Sequence, residues 1–223
     1  RVALALAALG LERRVRAAVV RRGEVRYGRF RREVRLARPV EVVRREELDA
    51  DLLAQARAAG LEVREGEALV RFDRGGGEVR AETTAGTWRA RVLVGADGAA
   101  SLVRRAVLGR AGTPLLLVQR ELPRPAPDPD LLVFDFTPMQ RGLRGYLWVF
   151  PAPGGRANVG LLHHPHGGPL GGPGLRALLH DGLHAHDLAL PGPPRGWPAW
   201  SYDPAQPLSA PHVLLCGDAA GIN

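Results

Sequence analysis

The sequence contains no lysine, so arginine fills all 31 of its lysine-plus-arginine positions. Against 23 acidic residues this gives a formal net charge of +8 at pH 7. Arginine neutralises phosphates, and a basic balance raises the question of a nucleic-acid partner. The arginines are dispersed, aromatics make up only 5% of the chain, and no nucleic-acid motif is present. The sequence therefore argues against a nucleic-acid binder, and a coding bias towards Arg, Ala, Gly and Pro accounts for the charge.

Cysteine is nearly absent. The lone Cys216 excludes a disulfide within the chain and argues against a cysteine-based zinc site. It fits a reducing, cytoplasmic compartment, and its apolar surroundings predict a buried thiol. Long hydrophobic runs are also missing. The apolar stretch Val2–Leu11 is too short to span a bilayer and lacks the charged flank of a signal peptide. It reads as a helix packed on the core, continuing to about Ala18. No internal repeat and no Gly-x-Ser-x-Gly nucleophile motif appears.

What is there is a globular composition, 45% hydrophobic over 223 residues, enough for a domain with a smaller one inserted. Alternating apolar and charged residues from Val25 to Val43 predict one or two strands. Arg45 to Ala59 has helical spacing, early acidic residues and Gly60 behind it, and predicts a helix. A short strand is expected at Leu61–Arg64, then a meander turning at Gly75–Gly77. Val92–Val94 reads as a buried strand, followed by a helix over Ser101–Leu108. From Leu115, short apolar runs split by Pro and Gly predict a mainly antiparallel layer. Leu175–Leu190 is an expected helix, Pro191–Pro211 is irregular, and Val213–Cys216 is a second buried strand.

Two turns carry the chemical argument. Strand 92–94 runs into Gly95-Ala96-Asp97-Gly98, and strand 213–216 runs into Gly217-Asp218-Ala219-Ala220-Gly221. Glycines let a backbone approach a ligand closely, and open α/β sheets bind ligands at the carboxyl ends of their strands. Asp218 can accept a hydrogen bond from a ribose or ribitol hydroxyl. One such turn is also an ordinary strand-to-helix connection; two, separated by a β layer, are more specific.

VLVGADGAASLVRR resembles the Asp-Gly fingerprint of flavoprotein hydroxylase-type oxidoreductases, and CGDAAG resembles their later Gly-Asp fingerprint. RREELDADLLAQARAAG resembles the helix of the same group whose arginine, Arg45 here, approaches the FAD phosphates. Tyr146-x-Trp148-x-Phe150-Pro151, with Gly160, is similar to a signature of geranylgeranyl reductases, although Leu162 stands where that signature ends in glycine. The resemblance implies an α/β fold with an α+β insertion. The implied arrangement is an incomplete Rossmann-like FAD-binding domain (1–112, with a return strand at 211–223) and an inserted antiparallel substrate domain (113–210).

The implied cofactor is FAD, and the resemblance admits NAD(P)H as electron donor. Arg45, Ala68, Asp97, Gly98, Gly217, Asp218 and Gly221 are the implied cofactor residues. Tyr146, Trp148, Phe150 and Gly160 are the implied pocket for an isoprenoid or other apolar molecule, although their alternation alone also fits a plain core face. The implied activity is reduction of isoprenoid C=C bonds, with peripheral membrane contact compatible. The alternatives are a flavin-dependent monooxygenase or halogenase acting on an aromatic substrate, and an inactive or lipid-binding remnant. Members of the group open with a Gly-x-Gly-x-x-Gly turn that is not found near Arg1. The non-Met start and the end within a glycine-rich turn both read as a piece of a longer protein. His163, His164 and His166 read as a solvated loop rather than a metal site, and His180, His184 and His186 as a weak zinc signal. Glu121 reads as a solvated strand edge.

Overall fold

The computed structural model describes residues 6–109, 114–164, 170, 172–201 and 203–222. In chain order the first strands are β1 (Ala17–Tyr27), β2 (Phe30–Val43), β3 (Leu69–Gly75), β4 (Glu78–Thr83), β5 (Thr87–Ala90) and β6 (Leu93–Gly95). They are followed by β7 (Pro114–Leu122), β8 (Leu131–Asp135), β9 (Gly145–Ala152) and β10 (Arg156–His163). The last are β11 (Arg195–Trp200), β12 (Ser209–Ala210) and β13 (Val213–Leu215). The helices are α1 (Arg45–Ala58), α2 (Leu102–Leu108) and α3 (Gly172–His184), and short 3-10 turns occupy Thr137–Arg141 and Gly217–Ala220.

The chain divides into two compact units, Arg1–Val63 with Leu117–Gly196 and Arg64–Leu116 with Trp197–Asn223. β1 and β2 join the large sheet of the first unit. That sheet runs β11-β7-β10-β9-β8-β1-β2. Its β1–β2 hairpin turns through Gly28 at positive φ, with Tyr27 opposite Phe30. β1 pairs parallel with β8, and the β8–β9 and β9–β10 pairs are antiparallel.

Side chains alternate across the sheet, so β9 sends Leu147 and Val149 to one face and Tyr146, Trp148 and Phe150 to the other. Helix α3 covers the leucine face. Its buried Leu175, Leu178, Leu179 and Leu183 recur at helical spacing. The approach is close enough that a Cβ on Gly182 would stand 2.4 Å from Leu147 Cδ1. Helix α1 carries Glu46 and Glu47 in its first turn and Arg57 in its last, as the helix dipole favours. Gln55 fastens it to the segment before β1 through Glu12, whose N–H donates to Oε1 at 3.1 Å and whose carbonyl accepts from Nε2 at 2.6 Å.

The second unit holds the meander β3-β4-β5 and a small sheet β12-β13-β6. Gly76 and Gly77, both at positive φ, make the two-residue β3–β4 turn. β6 and β13 run parallel, Val213 opposite Leu93 and Leu215 opposite Gly95, which is the Rossmann-like element of the fold. Val79, Val103, Val213, Leu215 and Ala220 form its core.

Several expectations are corrected. Residues 6–8 are helical, but the helix does not continue to Ala18; β-branched Val19 and Val20 lie in β1, paired with β2. Residues 61–64 form no strand, and Leu61 is exposed. β6 and β13 are covered on one face only, so Val94 and Leu214 are about half exposed (52% and 48%) and Cys216 is exposed. The helix expected to reach Leu190 ends at His184, and Asp187 at positive φ carries the chain into a turn. Residues 191–211, expected to be irregular, contain β11 and β12.

Candidate functional site

The β6–β13 pairing brings the two sequence turns together. Leu215 lies beside Gly95, and the Cys216 N–H donates to the Gly95 carbonyl at 3.0 Å. Both turns therefore leave the carboxyl ends of adjacent parallel strands, where open α/β sheets take ligands. Gly95 allows α2 to pack tightly here: a Cβ would meet Val103 Cβ at 2.7 Å and Leu215 Cδ2 at 2.9 Å.

The two aspartates differ in their engagement. Asp97 is turned inward on its own helix. Its Oδ2 accepts from the Leu102 N–H at 2.8 Å and the Val103 N–H at 3.3 Å, and its Oδ1 bonds Ser101 Oγ. Ser101 Oγ in turn accepts from the Arg104 N–H at 2.8 Å. The first-turn amides of α2 are thus satisfied within the chain, which assigns Asp97 a capping role in this structure. Asp218 is exposed, and its carboxylate has no hydrogen-bond or ion-pair partner among the described residues. Gly98 and Gly217 have positive φ and nothing within 4 Å of where a Cβ would stand, which leaves their backbones open to a ligand. Gly221, also at positive φ, lies against Arg104.

The remaining implied cofactor residues, Arg45 and Ala68, have local partners. Arg45 is exposed on α1, and its guanidinium pairs with Asp49 one turn on, at 3.2 Å. Ala68 precedes β3, and its N–H donates to Thr84 Oγ1 at 3.1 Å.

In the first unit, Tyr146, Trp148 and Phe150 share the sheet face opposite α3 with Phe134 and Phe136. Phe134 lies 5.6 Å from Tyr146 and 5.1 Å from Phe150 between ring centroids, and Phe136 lies 5.5 Å from Tyr146. The row continues by register through Val25, Phe134, Trp148 and Gly160. Trp148 Nε1 donates to Asn158 Oδ1 at 2.7 Å, so the indole's polar group is satisfied. Burial raises the Tyr146 pKa above its ordinary value. Phe134, Phe136 and Val25 belong to this face and were not singled out from sequence.

Three charged constellations carry no local sequence signal. His186 is buried, with Nε2 2.9 Å from Asp135 Oδ2. Burial pushes the Asp135 carboxyl upward, but hydrogen bonds from His186 and Thr137 outweigh it and hold the pKa down at about 2. Glu24 is fully buried and paired with Arg26 and Arg31. Glu121, expected at a solvated edge, binds Arg44 and Arg156, each at 3.0 Å. His163 lies buried in β10, not in a loop, and its Nδ1 accepts from the Arg144 N–H at 3.1 Å. His166 is outside the described residues. No group of three or more metal-ligating side chains occurs among the described residues. Nor, among them, is any helix long and apolar enough to cross a membrane.

Comparison with known proteins agrees with this fold. Residues 4–113 match the family model of the FAD binding domain. Solved structures share the fold. A geranylgeranyl bacteriochlorophyll reductase-like protein from Thermoplasma acidophilum has a TM-score of 0.79 at 23% identity, over 99% of this chain and 59% of its own. HpxO of Klebsiella pneumoniae, complexed with FAD and uric acid, has 0.70 at 20% identity, over 96% and 61%. The flavin-dependent halogenase CmlS has 0.69 at 21% identity, over 92% and 42%. The chain thus spans 59%, 61% and 42% of the length of these three proteins. No curated protein matches the sequence. The fold is therefore that of these flavoproteins, and the match to the FAD binding domain supports FAD as the cofactor. The open Asp218 carboxylate and the bare backbones at Gly98 and Gly217 fit that group.

Proposed function

We propose that the chain is part of an FAD-dependent oxidoreductase that saturates C=C bonds of an isoprenoid or similarly apolar molecule. The observation that carries this reading is the aromatic wall of Phe134, Phe136, Tyr146, Trp148 and Phe150. Apolar walls with few polar groups suit apolar ligands. Bound FAD would supply the two-electron chemistry, and NAD(P)H is the proposed source of its electrons. Asp218 accepts a hydrogen bond from a ribityl or ribose hydroxyl, while Gly98 and Gly217 admit the cofactor to their backbones. Arg45, released from Asp49, is the proposed phosphate contact. The aromatic wall holds the substrate chain and excludes water from it.

A second reading, oxygenation or halogenation of an aromatic substrate, is favoured by the fold shared with HpxO and CmlS. The test is to titrate the purified full-length protein with FAD and follow the flavin absorption bands. The reduced, loaded protein is then offered a geranylgeranyl lipid and, separately with oxygen, an aromatic substrate. The reductase reading expects flavin bands and a lipid product heavier by two hydrogens. An aromatic product bearing a new oxygen or halogen supports the second reading. Absence of flavin binding rejects both and leaves the lipid-binding alternative.

A further inference from the structure

Arg104, on α2, is a buried cation with 2% of its surface exposed. Such a charge is expensive to bury, and a carboxylate normally compensates it. Among the described residues none does. Nη1 donates to the Ala219 carbonyl at 3.1 Å and Nη2 to Gln206 Oε1 at 2.7 Å, while Nε is buried without a partner. The guanidinium also stands over the Trp200 ring, 5.4 Å from the centroid. These contacts join both glycine turns. Trp200 Nε1 donates to the Ala99 carbonyl, next to Gly98. Gln206 Nε2 reaches the Ala220 carbonyl at 3.4 Å. Arg104 Nη1 would lie 3.2 Å from a Cβ on Gly221, so the turn closes directly over the guanidinium.

A lysine could not reproduce this arrangement, because one ammonium lacks the planar fork that meets a carbonyl, a carboxamide and a ring face together. We infer that Arg104 is the positioning residue that holds the Gly217–Gly221 turn in the conformation that presents Asp218. This rests on the flavin reading above. Arg104 acts through the Ala219 carbonyl of the turn, where a positive charge complements the carboxyl end of the 3-10 segment.

The experiment compares the full-length protein with R104K, R104Q and Q206A. Its first readout is amide hydrogen exchange, which needs no cofactor. The turn amides are Gly221, bonded to the Asp218 carbonyl, and Ile222, bonded to the Gly217 carbonyl. The controls are the strand-end amides Leu215, bonded to Leu208, and Cys216, bonded to Gly95. R104K is expected to exchange about tenfold faster at Gly221 and Ile222 while Leu215 and Cys216 stay within about twofold. Q206A, which leaves the Ala219 contact in place, should fall between. The second readout is FAD affinity, expected to weaken about tenfold in R104K. Unchanged exchange at the turn, or a loss spread equally over Leu215 and Cys216, overturns the positioning role. Faster turn exchange with unchanged FAD affinity overturns the link to the cofactor. If the unaltered protein binds no FAD, the flavin reading fails by itself, and the exchange data still decide whether Arg104 holds the turn. R104K keeps the charge, so it provides a test if R104Q does not fold.

Discussion

Gly160 lies directly across the β9–β10 ladder from Trp148, and the indole occupies the space that a side chain at 160 would fill. A Cβ there would stand 2.2 Å from Trp148 Cζ2 and 2.6 Å from the Val118 carbonyl oxygen. The glycine of the signature-like segment therefore has a packing reason: it lets the indole lie flat on the sheet beside Phe134 and Phe150. Gly160→Ala is expected to destabilise the protein by about 1–3 kcal/mol, the usual cost of forcing extra atoms into a filled site. Denaturant titration followed by tryptophan fluorescence measures it. In a Trp148→Ala background, itself less stable, the added cost of Gly160→Ala should shrink only in part, because the Val118 carbonyl is backbone and cannot yield. Complete disappearance of that cost would show that the indole alone sets the constraint.

The open carboxylate of Asp218 separates binding from stability. It is exposed and bonds nothing among the described residues, so Asp218→Ala should leave folding stability within about 0.5 kcal/mol of the unaltered protein. The same change should weaken FAD by about tenfold or more, the value of a hydrogen bond to a charged group. Parallel thermal melts and FAD titrations check this. A variant that melts early but binds FAD normally would remove Asp218 from the site.

Asp97 should behave in the opposite way. Its carboxylate accepts from two α2 amides and from Ser101 Oγ, so Asp97→Ala and Ser101→Ala are each expected to cost about 1 kcal/mol of stability as lost helix caps. Asp97→Asn keeps one oxygen acceptor and should lose less. Equilibrium unfolding in urea ranks the three variants. Loss of FAD affinity in Asp97→Asn without loss of stability would give Asp97 a direct cofactor contact beside its capping role.

What could be read in advance follows from how local each signal is. The strands of the large sheet, α1, and the two glycine turns announce themselves through alternation, helical spacing and Gly-Asp pairs, all within a few residues. The β6–β13 pairing that sets the turns side by side joins residues more than a hundred positions apart, and only the repetition of strand-then-turn hinted at it. The inward turn of Asp97 was legible in principle. Ser101 stands directly before the helical run, which is an N-cap pattern as much as a ligand pattern. The enrolment of β1 and β2 in the large sheet left no local trace, and neither did the burial of Glu24, His163 and His186. A charged or polar residue buries when a partner from a distant segment meets it, and the sequence does not show that partner.

The Asp135–His186 pair illustrates this and gives a prediction in pH. Asp135 ends β8, and His186 follows α3; they meet at 2.9 Å inside the first unit. The Asp135 pKa falls from its ordinary 3.8 to about 2 in the folded protein. A carboxyl whose folded pKa lies below its unfolded one stabilises the fold when ionised in both states. That stabilisation is complete above the unfolded value, declines as pH falls through about 4, and is gone below about 2. Its size is about 2 kcal/mol, from the separation of the two pKa values. Asp135→Asn should therefore be less stable than the unaltered protein at neutral pH, and the gap should narrow between about pH 4 and pH 2. Urea unfolding at stepped pH measures both curves. A gap that stays constant over that range would mean that Asp135 stabilises by packing and neutral hydrogen bonds rather than by its charge, and would reassign the pair from an electrostatic to a purely steric link between β8 and α3.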